Sequence, residues 1–212
     1  MLTGKLLLNI FFLLYSFVLV FSGNDDFRKI EITENFRSRF IDKAAEIQTV
    51  QCKFRQEKYI SYLAASVSSE GKFYYQRSGS VRWEYTSPYQ YIIIIRDGKL
   101  RVRDKSGDMN FKDRENQMFD HLNRLIQNAL SGNLFTDNDF ESSWMESKTK
   151  YRLTLIPEDA DLKELISKVD IQFDREDLRV ESIVIYETSA DHMLISFIDP
   201  VYNKPIDHAL FE

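Results

Sequence analysis

Apolar and polar positions along this chain follow two periods. From Ile32 to Ile47, the residues Ile32, Phe36, Phe40, Ala44 and Ile47 recur at steps of three and four. One stripe of that kind predicts an amphipathic helix. The period then changes to two: Val50, Cys52 and Phe54 alternate with Gln51, Lys53 and Arg55, which predicts a strand. Tyr59 to Ser69 follows neither period and reads as a second strand or a loop. Three strand-like runs follow between Gly71 and Gly98. Phe73 to Gln76 is the first. Val81, Trp83 and Tyr85, alternating with Arg82 and Glu84, form the second. Tyr91 to Ile95 has no alternation and is expected to be covered on both faces. Asp97-Gly98 is a hairpin signal, and Leu100 and Val102 alternate with arginines beyond it.

The helical period returns from about Glu115 to Leu130, with Met118, Leu122, Leu125, Ile126 and Ala129 on one stripe and Gly132 at the expected C-terminal glycine. After a loop at Asp137 to Asp139, strands resume. Tyr151, Leu153 and Leu155 run up to Pro157. Leu162 to Ile166 has room for a helical turn. Val169, Ile171 and Phe173 open a meander that turns at Asp174 to Asp177 and continues through Tyr186 to Phe197. Pro200 and Pro205 predict an irregular C-terminus. Many short strands with tight turns and two amphipathic helices predict an α+β, mainly β fold: one curved antiparallel sheet with helices on one face. Helices laid over the concave side would enclose an apolar cavity.

The N-terminus bears on the compartment. Lys5 is the only charge before Asp25, and Leu6 to Phe21 is apolar except at Asn9, Tyr15 and Ser16. This reads as a cleaved secretory signal over residues 1–23. An uncleaved anchor is the rival, although the run is short for a span of ~20 residues. Residues 24–212 are then long enough for a single domain with a substantial core. The whole chain has a net charge of −5, and loss of Lys5 makes it one unit more negative. Acids and bases are interleaved with no basic stripe, which argues against nucleic acid as a partner. Cys52, the sole cysteine, alternates with Val50 and Phe54 and reads as a buried thiol.

No residue nominates itself for catalysis. His121, His192 and His208 lack metal-ligand spacing, no Gly-x-Ser-x-Gly or phosphate loop occurs, and the acids cluster in turns. The chain reads as a non-enzyme without cofactor or metal. Aromatic residues make up 14% of it, which is the remaining chemical signal. An ordinary aromatic core accounts for Phe36 or Phe54. Val81, Trp83 and Tyr85 differ in sharing one strand face just after Arg77 and a Ser-Gly turn. Arg77 could hydrogen-bond carbonyls of a covering segment, pair with a head group, or make a surface ion pair.

These residues resemble the LolA family of periplasmic lipoprotein carriers over nearly all of the chain after the leader. The markers are Phe54-x-Gln56, Gly71 opening the next hairpin, Arg77 ahead of Trp83, Pro88, an apolar strand, and Asp97-Gly98, followed by the central helix and the meander. The resemblance implies a strongly curved, incomplete antiparallel β-barrel with helices as a lid over an apolar cavity. It implies a periplasmic carrier that takes acylated lipoproteins from an inner-membrane ABC lipoprotein-release complex and delivers them to an outer-membrane acceptor. The residue matching the family's arginine, Arg77, would hold the lid closed, and Trp83 would line the cavity. The candidate lipid-binding set is Phe73, Tyr75, Val81, Trp83, Tyr85, Ile93, Leu122, Leu125 and Ile126, in a chain expected to act as a monomer. Two departures stand out: Ser78-Gly79 replaces the proline after the arginine, and Tyr91 to Ile95 is longer than usual. The alternative is a periplasmic carrier of glycolipid or another lipid, with no part in lipoprotein sorting.

Overall fold

The computed structural model describes residues 26–109, 124–135 and 139–212. The leader read over residues 1–23 lies outside them, as do Met118 and Leu122 of the central stripe. A short strand β1 (Arg28–Ile30) precedes helix α1 (Glu34–Ala45). Then come β2 (Thr49–Ile60), β3 (Ala65–Gln76), β4 (Ser80–Ser87), β5 (Tyr91–Arg96), β6 (Lys99–Asp104) and β7 (Gly107–Met109). Helix α2 is described over residues 124–131. The rest is β8 (Phe140–Glu146), β9 (Lys150–Pro157), the one-turn helix α3 (Ala160–Lys163), β10 (Ile166–Asp174), β11 (Val180–Glu187) and β12 (His192–Tyr202).

All of the described strands belong to one sheet of 12, in the order β1-β8-β9-β10-β11-β12-β2-β3-β4-β5-β6-β7, and every described pairing is antiparallel. β1 and β7 do not pair with each other, so the sheet stays open. Strands sit ~4.8 Å apart, so a flat sheet of this size would be roughly 50 Å wide. One continuous core cluster nevertheless joins Trp144 of β8 to Val102 of β6, because the sheet curls around the helices.

Thr33 caps α1 by accepting a hydrogen bond from the Phe36 amide at 3.2 Å. Its apolar stripe faces the β8–β10 half of the sheet. Phe40 meets Trp144 and Phe173 edge-on, with ring centroids 5.6 and 5.1 Å away, and Phe36 meets Tyr151 at 5.0 Å. Edge-to-face geometry of this kind adds to simple area burial. α2 lies over β2, β3, β11 and β12.

The sequence and the structure differ at several points. Tyr59 to Ser69 is the far end of a long hairpin: β2 runs to Ile60, a 3-10 turn spans Ser61–Leu63, and β3 starts at Ala65. Gly71 therefore sits inside β3, at a bulge, and does not open a hairpin. β1, β7 and β8 have no clear period-two signal and were not expected. Pro200 lies within β12, where the register shifts between Ile198 and Val201 and Asp199 takes φ +52. A bulge of that kind is where a strand tolerates proline. Asp97 and Gly98 both have positive φ, as the hairpin signal requires.

Candidate functional site

The concave face of β3, β4 and β5 is an aromatic and branched wall fixed by register. Tyr75 lies opposite Val81 and Val81 opposite Ile95; Phe73 lies opposite Trp83 and Trp83 opposite Ile93. Phe73 and Trp83 rings are 4.6 Å apart. The segment Tyr91 to Ile95 resolves into two faces. Ile93 and Ile95 point inward, while Ile94 points outward and is buried, near Phe211 of the C-terminal turn. Arg82 helps to hold that turn, donating from Nη1 to the Leu210 carbonyl at 2.9 Å.

Gly71 makes room for Phe54. A Cβ at Gly71 would come 2.7 Å from the Phe54 ring and 2.1 Å from the Glu84 carbonyl oxygen. Phe54 packs edge-on against Trp83 and Tyr85, both at 4.9 Å. The Tyr85 hydroxyl donates to Gln56 Oε1 at 2.8 Å, so this polar tip is satisfied. Burial, with Tyr91 stacked on its ring, pushes the Tyr85 hydroxyl pKa well above the usual phenol range.

Helix α2 fills the space over β2, β3, β11 and β12. Leu125, Ile126, Ala129 and Leu130 are all buried. Among the described residues, what remains between the helix and the sheet is a cavity of about 10 Å³, lined by Cys52, Phe73, Ile126, Ala129, Leu130 and Phe197 among others. That volume holds about one water. Under the described part of α2 the cleft is therefore collapsed, and the apolar side chains of that helix occupy it. Cys52 lies directly under the helix, where burial pushes its thiol up to about 12.

Arg77 sits at the opposite edge of this packing, at the C-terminus of α1. Its Nη1 donates to the carbonyls of Ala44 at 2.7 Å, Ile47 at 3.0 Å and Ala45 at 3.4 Å. Helix ends leave carbonyls without intrahelical partners, and a cation there also suits the helix dipole. Asn203 satisfies one more, donating from Nδ2 to the Glu46 carbonyl at 2.9 Å. No local pattern points to Asn203, which reaches this site across 157 positions. Of the three readings of Arg77, the geometry is that of carbonyl bonding. The same helix end touches α2. A Cβ on Gly132, which closes α2 with φ +83, would lie 3.0 Å from the Ala44 Cβ and 3.3 Å from the Ile41 Cα. Arg77, the end of α1 and the end of α2 form one contiguous set of contacts.

Phe73, Tyr75, Val81, Trp83, Tyr85, Ile93, Leu125 and Ile126 are all buried in one cluster. Phe73 and Ile126 touch the residual cavity directly, and Leu122 lies outside the described residues. Val50, Val180, Ile183, Phe197 and Tyr202 also line the cavity. Alternation marked Val50 as core and the meander took in β11 and Phe197, whereas Tyr202 fell in the segment expected to be irregular; only the curl of the sheet brings β11 and β12 to the same cleft. Among the described residues no three His, Cys, Asp or Glu side chains gather to hold a metal.

The family model for outer membrane lipoprotein carrier protein LolA matches residues 45–212. An outer-membrane lipoprotein carrier protein of Methylococcus capsulatus is 31% identical over 101 residues, which is 48% of this chain and 46% of that relative. The chain thus aligns with about half the length of that relative. Among solved structures, a LolA superfamily protein from Nitrosomonas europaea aligns at TM-score 0.44 and 12% identity, covering 83% of this chain and 97% of that one. The Pseudomonas aeruginosa MucA/MucB complex aligns at TM-score 0.45 and 10% identity, covering 82% and 58%. A DUF1329 family protein from Desulfovibrio piger gives 0.48 and 10%, with 84% and 95% covered. The family model matches well over half of the sequence, and the chain belongs to the LolA outer membrane lipoprotein carrier family.

Proposed function

We propose that this protein is a periplasmic carrier that shields the acyl chains of lipoproteins between an inner-membrane ABC release complex and the outer membrane. On this reading residues 1–23 are removed on export, and residues 24–212 act as one carrier domain and as a monomer. An acceptor at the outer membrane would complete the route. The observation that carries the proposal is the collapsed cleft. Phe73, which shares its wall with Trp83 and Ile93, lies with Val50 and Cys52 under the apolar side chains of α2, with almost no free volume among these described residues. Displacing the helix would expose a groove with apolar walls, matched to hydrocarbon and offering no charge to read a particular head group. Moving an acyl chain from a bilayer to such a groove exchanges one apolar surrounding for another. Crossing water unaided would instead cost about 0.8 kcal/mol per CH₂. In this mechanism Arg77 acts as the latch: its bonds favour the closed arrangement of α1 and α2, and closure competes with the lipid for the cleft.

The test is displacement of an apolar fluorescent dye by a diacylated peptide, read at Trp83 and at the dye, followed by transfer to acceptor vesicles. A well-folded protein that binds neither dye nor acyl peptide would end the carrier reading. Mass spectrometry of material co-purified from the periplasm separates lipoprotein cargo from glycolipid or another lipid.

A further inference from the structure

The β2–β3 hairpin extends well past β4, whereas on its other side β12 pairs with β2 as far as Tyr59. β4 pairs with β3 only from Glu70 onward, so Ala65 to Ser69 have no strand on that side among the described residues. Five residues at ~3.4 Å each carry the tip roughly 17 Å beyond the end of β4. The projecting segment has no charge between Lys58 and Glu70, in a chain of which 29% is charged. Its apex is apolar: Tyr62 is 83% and Leu63 54% exposed.

The tip is also held rigidly. Asp191, on the β11–β12 turn, accepts from the Ser61 amide at 2.9 Å and the Ser61 hydroxyl at 2.7 Å. Ala64 closes the 3-10 turn in the left-handed region, φ +47. The inward face of β3 runs without a break from Phe73 at the cavity through Gly71 and Ser69 to Val67, which is 49% exposed. The apex thus stands at the end of the same face that the cleft occupies.

We propose that this hairpin apex docks the protein on a lipid bilayer by inserting Tyr62 and Leu63 into the interfacial layer. Two neighbouring side chains on a projecting point offer far less area than the ~800 Å² per partner of a stable protein interface. A bilayer accepts a point. Neither inserted side chain is charged, Asp191 stays in the hydrated layer behind them, and tyrosine is favoured at membrane interfaces. With so little surface the docking is weak and reversible, and the unpaired edge of Ala65 to Ser69 stays hydrated, since bare backbone groups are excluded from hydrocarbon. No described helix is long and apolar enough to cross a membrane. The proposal rests on the carrier reading only for its purpose, which is to bring the end of the cleft to the lipid surface.

The test is flotation of the purified, unloaded protein with vesicles of phosphatidylethanolamine and phosphatidylglycerol. Wild type should float with the vesicles, and high salt should leave that fraction unchanged, because the contact carries no charge. Tyr62→Ser with Leu63→Ser, and separately Leu63→Asp, should lower the floated fraction tenfold or more while the melting temperature and dye uptake stay at wild-type values. Failure of wild type to float, flotation that salt abolishes, or variants that float like wild type would each overturn the proposal. So would variants that bind bare vesicles normally and fail only with a protein acceptor, since the apex would then be a protein contact. Absence of dye uptake tells against the carrier reading and leaves the flotation result standing on its own.

Discussion

Replacing Arg77 with leucine should open the cleft, and the sole cysteine reports it. Arg77 donates to two carbonyls of the α1 end at 2.7 and 3.0 Å, with a third at a marginal 3.4 Å. Hydrogen bonds to a charged group contribute roughly 1.5–3 kcal/mol each. Arg77 is half-buried, so the lower figure applies, and two bonds give about 3 kcal/mol. At about 1.4 kcal/mol per factor of ten, the closed-to-open ratio should fall by roughly a hundredfold. Cys52 lies beneath Ile126, Ala129 and Leu130, and its thiol is pushed up to about 12. Only the thiolate reacts, so labelling requires exposure. Under conditions where closing outpaces labelling, the labelling rate follows the opening constant. Arg77→Leu should therefore label about a hundred times faster than wild type. The denaturant dependence of the rate separates local opening from global unfolding, because only the latter exposes the whole core. In vesicle transfer the variant should accept acyl cargo and release it poorly. Labelling at the wild-type rate in a folded variant would refute the chain of contacts drawn from Arg77 through Ala44 and Gly132 to α2.

Gly71→Ala should destabilise the fold by about 1–3 kcal/mol, the usual range for overpacking, because the new methyl meets the Glu84 carbonyl at 2.1 Å and Phe54 at 2.7 Å; an unchanged melting temperature would mean that β3 and β4 separate without cost. Stability should fall with alkaline pH. Cys52 rises from 9.0 to about 12 and Tyr85 rises above its ordinary value, so their contribution is full below their unfolded values and is lost as pH climbs past them. A melting temperature flat from pH 7 to pH 11 would contradict this. At Asp191 the sign is opposite. The Ser61 hydrogen bonds hold this carboxyl below its ordinary value, so the anchor is intact at neutral pH and is lost as pH falls through the depressed value. Protection of the Ser61 amide from hydrogen exchange, corrected for intrinsic rates, should drop in that acid range; protection independent of pH would contradict the anchor.

Periodicity exposed the parts of this molecule whose two faces meet different surroundings. Val81, Trp83 and Tyr85 alternate with Arg82 and Glu84 because one face meets the core and the other meets water, and that contrast is written in residue type. Tyr91 to Ile95 carries no alternation because Phe211 covers Ile94 from outside. No local pattern in Tyr91 to Ile95 names Phe211, over a hundred positions away. The hairpin tip failed to show a period for a related reason. Beyond Ser69 neither face of Ala65 to Ser69 is buried, so nothing enforced a contrast. Arg77 was singled out as a fork of donors near an apolar wall, but its acceptors are backbone carbonyls, which have no residue signature. Asn203 was missed on the same ground. The described part of the central helix, residues 124–131, was legible from its stripe, whereas the near absence of free volume beneath it was not, because packing density depends on the curl of the sheet.

That collapsed volume sets the thermodynamics of cargo exchange on the carrier reading. Burying a Leu or Ile side chain contributes about 1.5–3 kcal/mol, so Leu125, Ile126 and Leu130 together favour the closed state by roughly 5–9 kcal/mol. An acyl chain that displaced them completely would recover this only after burying about 6–11 methylenes at ~0.8 kcal/mol each. Part of a long acyl chain therefore serves only to offset the helix, and the remainder provides net affinity. A cleft that stood open and dry would hold the same chain far more tightly and would be slow to release it. Here the helix acts as a tethered competitor, and its strength is set by how firmly Arg77 and Gly132 hold the two helix ends together. Shortening the competitor should then tighten cargo in a graded way. Ile126→Ala, which removes about three carbons from the closed core, should raise acyl affinity and slow transfer to vesicles. It should also lower the melting temperature of the unloaded protein. A variant that lost stability without gaining affinity would show that Ile126 serves the core alone and that the cargo lies elsewhere on the sheet.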